Sequence, residues 1–274
     1  MARAAEPGRP GLEVLPAPGL GPGVRAWFTT RRGGVSLPPR DGLNLGAGVG
    51  DDPAAVAANR SAVADLVHAP VTWIRAVHGS TVGIVDGAGE VRPVPPAVDG
   101  RADGACDIDL LDGDPRLDAL VTTTGGRALA ALAADCVPVL LAGHDDAGVP
   151  RAVGAVHSGR RGVALGVVPR AVAALRALGA ARVSAVVGPA VCGRCYEVPE
   201  VMRAEVSAVV PETWATTRRG TPSLDLPAGV TAQLRAADVR TLDLGLCTQE
   251  TPWLFSHRRL QPGGRACGVV LLDG

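Results

Sequence analysis

The sequence predicts a mixed-sheet α/β or α+β domain, and three observations carry that prediction. Apolar runs of buried-strand type, such as residues 137–141 and 183–187, are interspersed with longer helical patterns. The two kinds of segment mix without a strict strand–helix–strand repeat. No linker is polar enough to divide the chain, and no internal repeat period stands out.

Residues 1–23 lack the apolar stretch of a secretory signal and read as a flexible lead-in to a single catalytic domain over 24–274. Residues 24–30 (VRAWFTT) form a short strand, and a loop, RRGGVSLPPRDGLNLG, follows. Asp51, Asp52 and Pro53 start a helix that runs to about His68, with Val56, Val63, Leu66 and Val67 roughly along one face. Residues 71–77 and 81–85 are strands around a turn at His78-Gly79, and 91–115 is loop-like. Residues 120–123 and 128–133 are strands around Gly125-Gly126; 137–141 and 152–156 are buried strands. A helix spans 163–178, with Pro169 kinking it or marking its start. A buried strand at 183–187 and helices at 200–209 and 229–237 come next, and strands at 253–256 and 266–272 close the chain.

Composition narrows the function. The 274 residues carry no net charge, 27 Arg and no Lys against 27 acidic residues. A chain 47% apolar and electrically neutral is not intrinsically disordered. It also lacks the basic balance of a general nucleic-acid binder. The absence of Lys excludes a Schiff-base lysine and a Walker-type phosphate lysine. Aromatics are only 3%, so the core must be built from Val, Ala and Leu. The longest apolar run, 128–143, is too short to span a bilayer and contains Asp135. A cytoplasmic, membrane-free protein is expected, a monomer or small homo-oligomer. Its six Cys (106, 136, 192, 195, 247 and 267) are then kept as thiols.

Three polar interruptions of apolar strands carry the chemistry: His78 between two strands, Cys136 inside the apolar run, and His157 at a buried strand end. Brought together, two imidazoles and a thiolate make a three-ligand zinc site with the fourth tetrahedral position open. The rival use of the same residues is a Cys–His hydrolase pair. Asp135, beside Cys136, is a candidate proton donor or a structural residue in equal measure. Cys192-Gly193-Arg194-Cys195 is a CxxC without a second CxxC and without the helix start of a thioredoxin-like motif, so it reads as structural. Cys106, Cys247 and Cys267 have no ligand-like neighbours in sequence, and His144 reads as a solvated turn residue. Among the paired arginines, Arg161, four residues after His157, and Arg258 suit an anionic group such as phosphate.

At these residues the sequence resembles the multicopper-polyphenol-oxidase or laccase-domain family, described as purine nucleoside phosphorylases and as peptidoglycan-editing factors. The resemblance rests on TTRRGGVS (29–36), LNLGAGVGDDPAAVAANR (43–60), VHGSTV (77–82), ADCVPVLL (134–141), AVHSGRRG (155–162), GPAVCGRCYEV (188–198) and the tail 247–265, in the family's order over nearly the whole chain. It implies a single-domain mixed-sheet sandwich flanked by helices. It implies zinc held by His78, Cys136 and His157, the same residues as the catalytic set, and no true multicopper centre. It implies phosphorolysis of adenosine, inosine, guanosine and methylthioadenosine, with adenosine deamination as a second activity. Asn44, Arg60 and Arg258 fall in family motifs near the expected substrate pocket. The sequence departs from the pattern at Ala76, at Ser158 and Arg160 in the third motif, at His257 before the Arg pair, and after Asp225-Leu226, where no clear Asn follows. Two alternatives remain: a Cys/His or zinc amidase that edits peptidoglycan precursors, and a catalytically weakened partner protein that keeps the fold.

Overall fold

A computed structural model describes residues 11–94, 110–111 and 114–274. The first ten residues of the expected lead-in, much of the expected 91–115 loop, and Cys106 lie outside the described residues. Strands β1 (Val14–Pro16) and β2 (Val24–Thr29) are followed by helix α1 (Pro53–Val67) and strands β3 (Val71–Trp73), β4 (Val82–Val85) and β5 (Val91–Pro93). Next come β6 (Leu110–Leu111), β7 (Asp114–Pro115), β8 (Ala119–Thr122), β9 (Ala128–Ala133), β10 (Val137–His144) and β11 (Pro150–Ser158). Helices α2 (Arg160–Leu165) and α3 (Val167–Ala177) lead to β12 (Arg182–Val187). Helix α4 (Glu200–Val209) precedes a ribbon, β13 (Trp214–Thr216) with β14 (Pro222–Leu224). Helix α5 (Leu226–Ala236), β15 (Arg240–Asp243) and β16 (Ala266–Leu272) complete the chain.

Two mixed sheets organise these elements. One has the order β1-β2-β16-β9-β3 and the other β15-β12-β10-β11-β8-β4-β5. Parallel pairs (β3 with β9, β4 with β8, β12 with β15) sit among antiparallel ones. The period-2 alternation of side chains then sorts the core into layers. From β10, Leu140 and Ala142 meet Phe28, Leu129, Ala131 and Val270 of the other sheet. From the opposite face of β10, Val139 and Leu141 pack under Val168, Val172 and Leu175 of α3, with Val206 of α4 and Val230 of α5 in the same cluster. On the far side of the five-stranded sheet, Val269 and Leu271 pack with Val63 and Val67 of α1. The result is a two-sheet sandwich with helices outside both faces, as the fold class predicts.

A core short of aromatics concentrates weight on Phe28, which is 1% exposed. Its ring lies on Gly188 and Gly268, where an added Cβ would come within 2.2 Å and 2.8 Å of it. Glycine at those two positions makes the room that the only large ring between the sheets needs, among the described residues.

Most expected elements are present; the differences have local causes. Val14–Pro16, within the expected flexible lead-in, pairs with β2. The helix expected over 163–178 breaks at Gly166, whose left-handed φ of 74° ends α2 and starts α3, rather than at Pro169. Residues 253–256 leave a turn through a bend and form no strand; the Arg259 guanidinium holds the segment curled by donating to the carbonyls of Thr248, Gln249 and Thr251 before it and of Leu254 within it. His144 is not solvated: it ends β10, 8% exposed, with Nε2 2.9 Å from Ser184 Oγ. Among the described residues no helix is long and apolar enough to cross a membrane.

Candidate metal and substrate site

Sheet register brings the three sequence-predicted residues together. The antiparallel pairing of β10 with β11 sets Pro138 opposite His157, so the turn before β10 delivers Cys136 beside that imidazole. The parallel pairing of β4 with β8 sets Val82 opposite Ala119 and carries the preceding His78 turn to the same end. The ligating atoms of His78, Cys136 and His157 lie within 4.8 Å of one another. The two imidazoles meet edge to face with centroids 4.8 Å apart, and Cys136 Sγ is 3.9 Å from His78 Nε2.

Asp118, just before β8, was not singled out in the sequence, yet it holds the cluster in place. Its carboxylate is 0% exposed. Oδ1 accepts from the His78 backbone N–H at 2.9 Å and lies 2.8 Å from His157 Nδ1, while Oδ2 accepts from Gly79 N–H at 2.7 Å. The His78 bonds stabilise a backbone with φ of 60°, which a non-glycine residue adopts at a cost. The Nδ1 contact leaves His157 Nε2 for the cluster, the usual way a carboxylate orients a ligating imidazole. The only sequence signal was an acid bordering the apolar run of β8, one of several Asp in that stretch.

The cluster is electrically coupled. Burial opposes ionisation of Cys136, but the neighbouring His157 charge and hydrogen bonds from both imidazoles outweigh it and bring the thiol down to about 6. Burial likewise opposes charging of His157, and the Cys136 thiolate and Asp118 raise it to about 10. Space is reserved as well: a Cβ on Gly159 would sit 2.8 Å from His78 Cδ2 and 3.1 Å from Cys136 Sγ.

Around the cluster lie groups suited to a substrate. Arg258 stacks on Tyr196 with Cζ 4.3 Å from the ring centroid and donates to the Glu197 carbonyl at 2.7 Å. Burial first, then the Cys136 charge, pushes the Tyr196 hydroxyl above its ordinary value, while Arg258 and Arg160 pull it back. Arg160, noted in the sequence as a departure from the family pattern, is thus within electrostatic reach of Tyr196; Arg161 is exposed one residue on. Arg265 is also close, its guanidinium partly buried and within the field of Cys136 and Asp135. Asp135 serves a structural end. Its carboxylate accepts from Thr248 Oγ1 at 2.6 Å and from the Arg258 backbone N–H at 2.8 Å.

Two of the substrate-pocket residues expected from the sequence, Asn44 and Arg60, make contacts within the scaffold. Asn44 is 0% exposed; its amide donates to Asp51 and Gly46, and its oxygen accepts from the N–H groups of Gly46 and Arg265. It thereby positions Arg265. Arg60 lies over Trp73 at 4.7 Å and donates to the Leu45 carbonyl, bracketing α1 to the sheet. Elsewhere, Cys267 is buried and its thiol pushed up to about 12. Cys247, without ligand-like neighbours in sequence, stands beside Cys192 and Cys195 in space.

Comparison with known proteins places the chain in a family. Residues 25–273 match the family described as multi-copper polyphenol oxidoreductase laccase. A protein of Streptomyces coelicolor named purine nucleoside phosphorylase is 48% identical over 257 residues, covering 92% of this chain and 96% of its own. A protein of the same name from Mycobacterium bovis is 45% identical over 256 residues, with coverages of 91% and 92%. The crystal structure of a Neisseria meningitidis protein superposes with a TM-score of 0.78 at 31% identity, covering 95% of this chain and 99% of that one. The crystal structure of YlmD from Geobacillus stearothermophilus gives 0.75 at 28% identity, with coverages of 93% and 94%. With nearly its full length matched in sequence and fold, the chain belongs to the multi-copper polyphenol oxidoreductase laccase family.

Proposed function

We propose that the protein is a zinc-dependent purine nucleoside phosphorylase acting on adenosine, inosine, guanosine or methylthioadenosine, with adenosine deamination as a second activity. The observation that carries this reading is the convergence of His78, Cys136 and His157 beside an arginine-lined wall. Relatives at 45–48% identity that bear the phosphorylase name support it. Two imidazoles and a thiolate suit zinc, their ligand atoms lie within 4.8 Å of one another, and Gly159 keeps a side chain from crowding them. When bound, zinc would supply Lewis acidity toward a substrate oxygen or nitrogen.

The chain's own residues do the rest. Asp118 fixes the orientation of the His157 imidazole and the backbone of the His78 turn before substrate arrives. Arg258 and Arg160 provide positive charge for phosphate, with Arg161 on the same short helix and Arg265 behind. In the reaction, a phosphate oxygen bonds to the anomeric carbon as the C–N bond breaks. The bonding pair leaves with the purine, which then takes up a proton. Tyr196 stays protonated at neutral pH and offers a hydroxyl donor at this wall. The test is chromatography of each nucleoside incubated with zinc-replete protein, with and without phosphate. Adenine formed only with phosphate is expected from adenosine, and inosine reports deamination. No base released from any of the four nucleosides overturns the reading.

One geometric feature favours a second reading. Cys136, His157 and Asp118 also line up as thiolate, imidazole and orienting carboxylate. An amidase built on them would release an amino acid from a nucleotide-linked muropeptide. It would survive metal removal and leave nucleosides intact.

A further inference from the structure

The phosphorylase reading leaves unused a second cluster. Cys192, Cys195, Cys247 and Glu250 each offer a ligand atom, and these four atoms lie within 4.8 Å of one another. They come as two chelating turns of the same spacing, C-x-x-C and C-x-x-E. Each turn is closed by a backbone bond from its fourth residue to its first: Cys195 N–H to the Cys192 carbonyl at 2.9 Å, and Glu250 N–H to the Cys247 carbonyl at 3.2 Å. A parallel bridge between Ala190 and Cys247 locks the turns side by side. The Cys192 N–H points at Cys247 Sγ at 3.4 Å, as backbone donors do toward metal-bound thiolates.

We propose that these four residues form a structural zinc site, separate from the His78–Cys136–His157 cluster. Four protein ligands close the coordination sphere, which marks a structural rather than a catalytic site. A carboxylate in place of a fourth thiolate suits zinc better than an iron–sulfur centre. A divalent ion leaves three thiolates and one carboxylate with two excess negative charges. Arg218, paired with Glu250 and 3.6 Å from Cys195 Sγ, and Arg194, whose charge acts on Glu250, match them. A redox CxxC would open a helix, whose N-terminus lowers its thiol pKa. Here Tyr196 and the Glu197–Ser223 bridge follow instead. The ion would staple residues 192–195, which lead into Tyr196 and Glu197, to residues 247–250, which include Thr248 and lead toward Arg258. Those two segments already meet through Arg258 and the Glu197 carbonyl.

The test uses the full chain purified under reducing conditions without chelator. Cys136→Ala removes the thiol of the first cluster, and it should still retain roughly one zinc per chain by mass spectrometry of the metal. Cobalt exchanged into Cys136→Ala should show sulfur-to-cobalt charge-transfer absorption. Adding Cys192→Ser and Cys195→Ser should abolish both signals. Glu250→Gln should keep the thiolate spectrum and weaken zinc binding. If the serine variant fails to fold, the cobalt spectrum of Cys136→Ala decides alone. A folded, zinc-supplied Cys136→Ala chain without metal or thiolate absorption overturns the proposal. So does a disulfide among these cysteines in the reduced preparation.

Discussion

Asp118→Asn changes one buried atom and should separate the support of the site from its chemistry. In the native chain both carboxylate oxygens face donors: the N–H groups of His78 and Gly79, and His157 Nδ1. An amide keeps one oxygen and replaces the other with an NH2 group, so in either orientation a donor confronts a donor with no water to relieve it. Leaving one buried donor unsatisfied costs about 1–3 kcal/mol. For a chain of this size each kcal/mol lowers the melting temperature by about 2–4 °C, so the metal-free variant should melt roughly 2–12 °C below wild type. The imidazole also loses its orienting charge, and zinc affinity should fall by about 10–100-fold. Calorimetry of chelated protein measures the first effect, and competition with a chromophoric chelator the second. A variant equal to wild type in both measurements refutes the role given to Asp118.

Three further outcomes follow from the same structure. Gly159→Ala places a methyl 2.8 Å from His78 Cδ2 at a backbone φ of −83° that alanine accepts, so zinc affinity should drop while chelated melting stays near wild type; unchanged affinity counts against the cradle. Phe28→Ala should cost about 3–5 kcal/mol in denaturant unfolding, because Gly188 and Gly268 have no side chains with which to fill the space, and a loss under about 1 kcal/mol would mean the sheets collapse together. Burial foremost, with the charges of Arg240 and Arg182, holds His144 below its ordinary value of 6.5 against the pull of its bond with Gly148. The unfolded chain then binds a proton the native chain refuses, so stability is full above pH 6.5 and falls as pH drops toward the native pKa. His144→Gln should flatten that acid limb in unfolding curves taken at successive pH values; an equally steep limb excludes His144 as its source.

The cluster was legible because each of its three residues breaks an apolar run, and a polar group at the end of a buried strand must be satisfied or used. Helix α4 was legible end to end, since Pro199 precedes it and its apolar spacing is regular. Asp118 was not, because its importance lies in three hydrogen bonds to residues 39 and 40 positions away. Cys247 was hidden for the same reason: its partners lie 52 and 55 positions earlier and meet it only once the chain has folded. Strand β15 pairs at the sheet edge with mostly exposed residues, so it carries no apolar signature. Asn44 and Arg60 stood out by their motifs, while their contacts with Arg265 and Trp73 are visible only in the fold.

The central pairing of β10 with β11 also sets a kinetic hierarchy. All eight residues of β10 are buried and the strand is bonded on both edges, so its amides should exchange with solvent only when the whole domain opens. Cys136 and His157 are anchored at the ends of this slowest-opening pair. His78 instead rides an exposed turn whose backbone is tied down by Asp118. Of the three residues, His78 is therefore the one expected to open most readily. Were an ion held there as proposed, its exchange would be set by this one local opening, while Cys136 and His157 stay anchored to the buried strand pair.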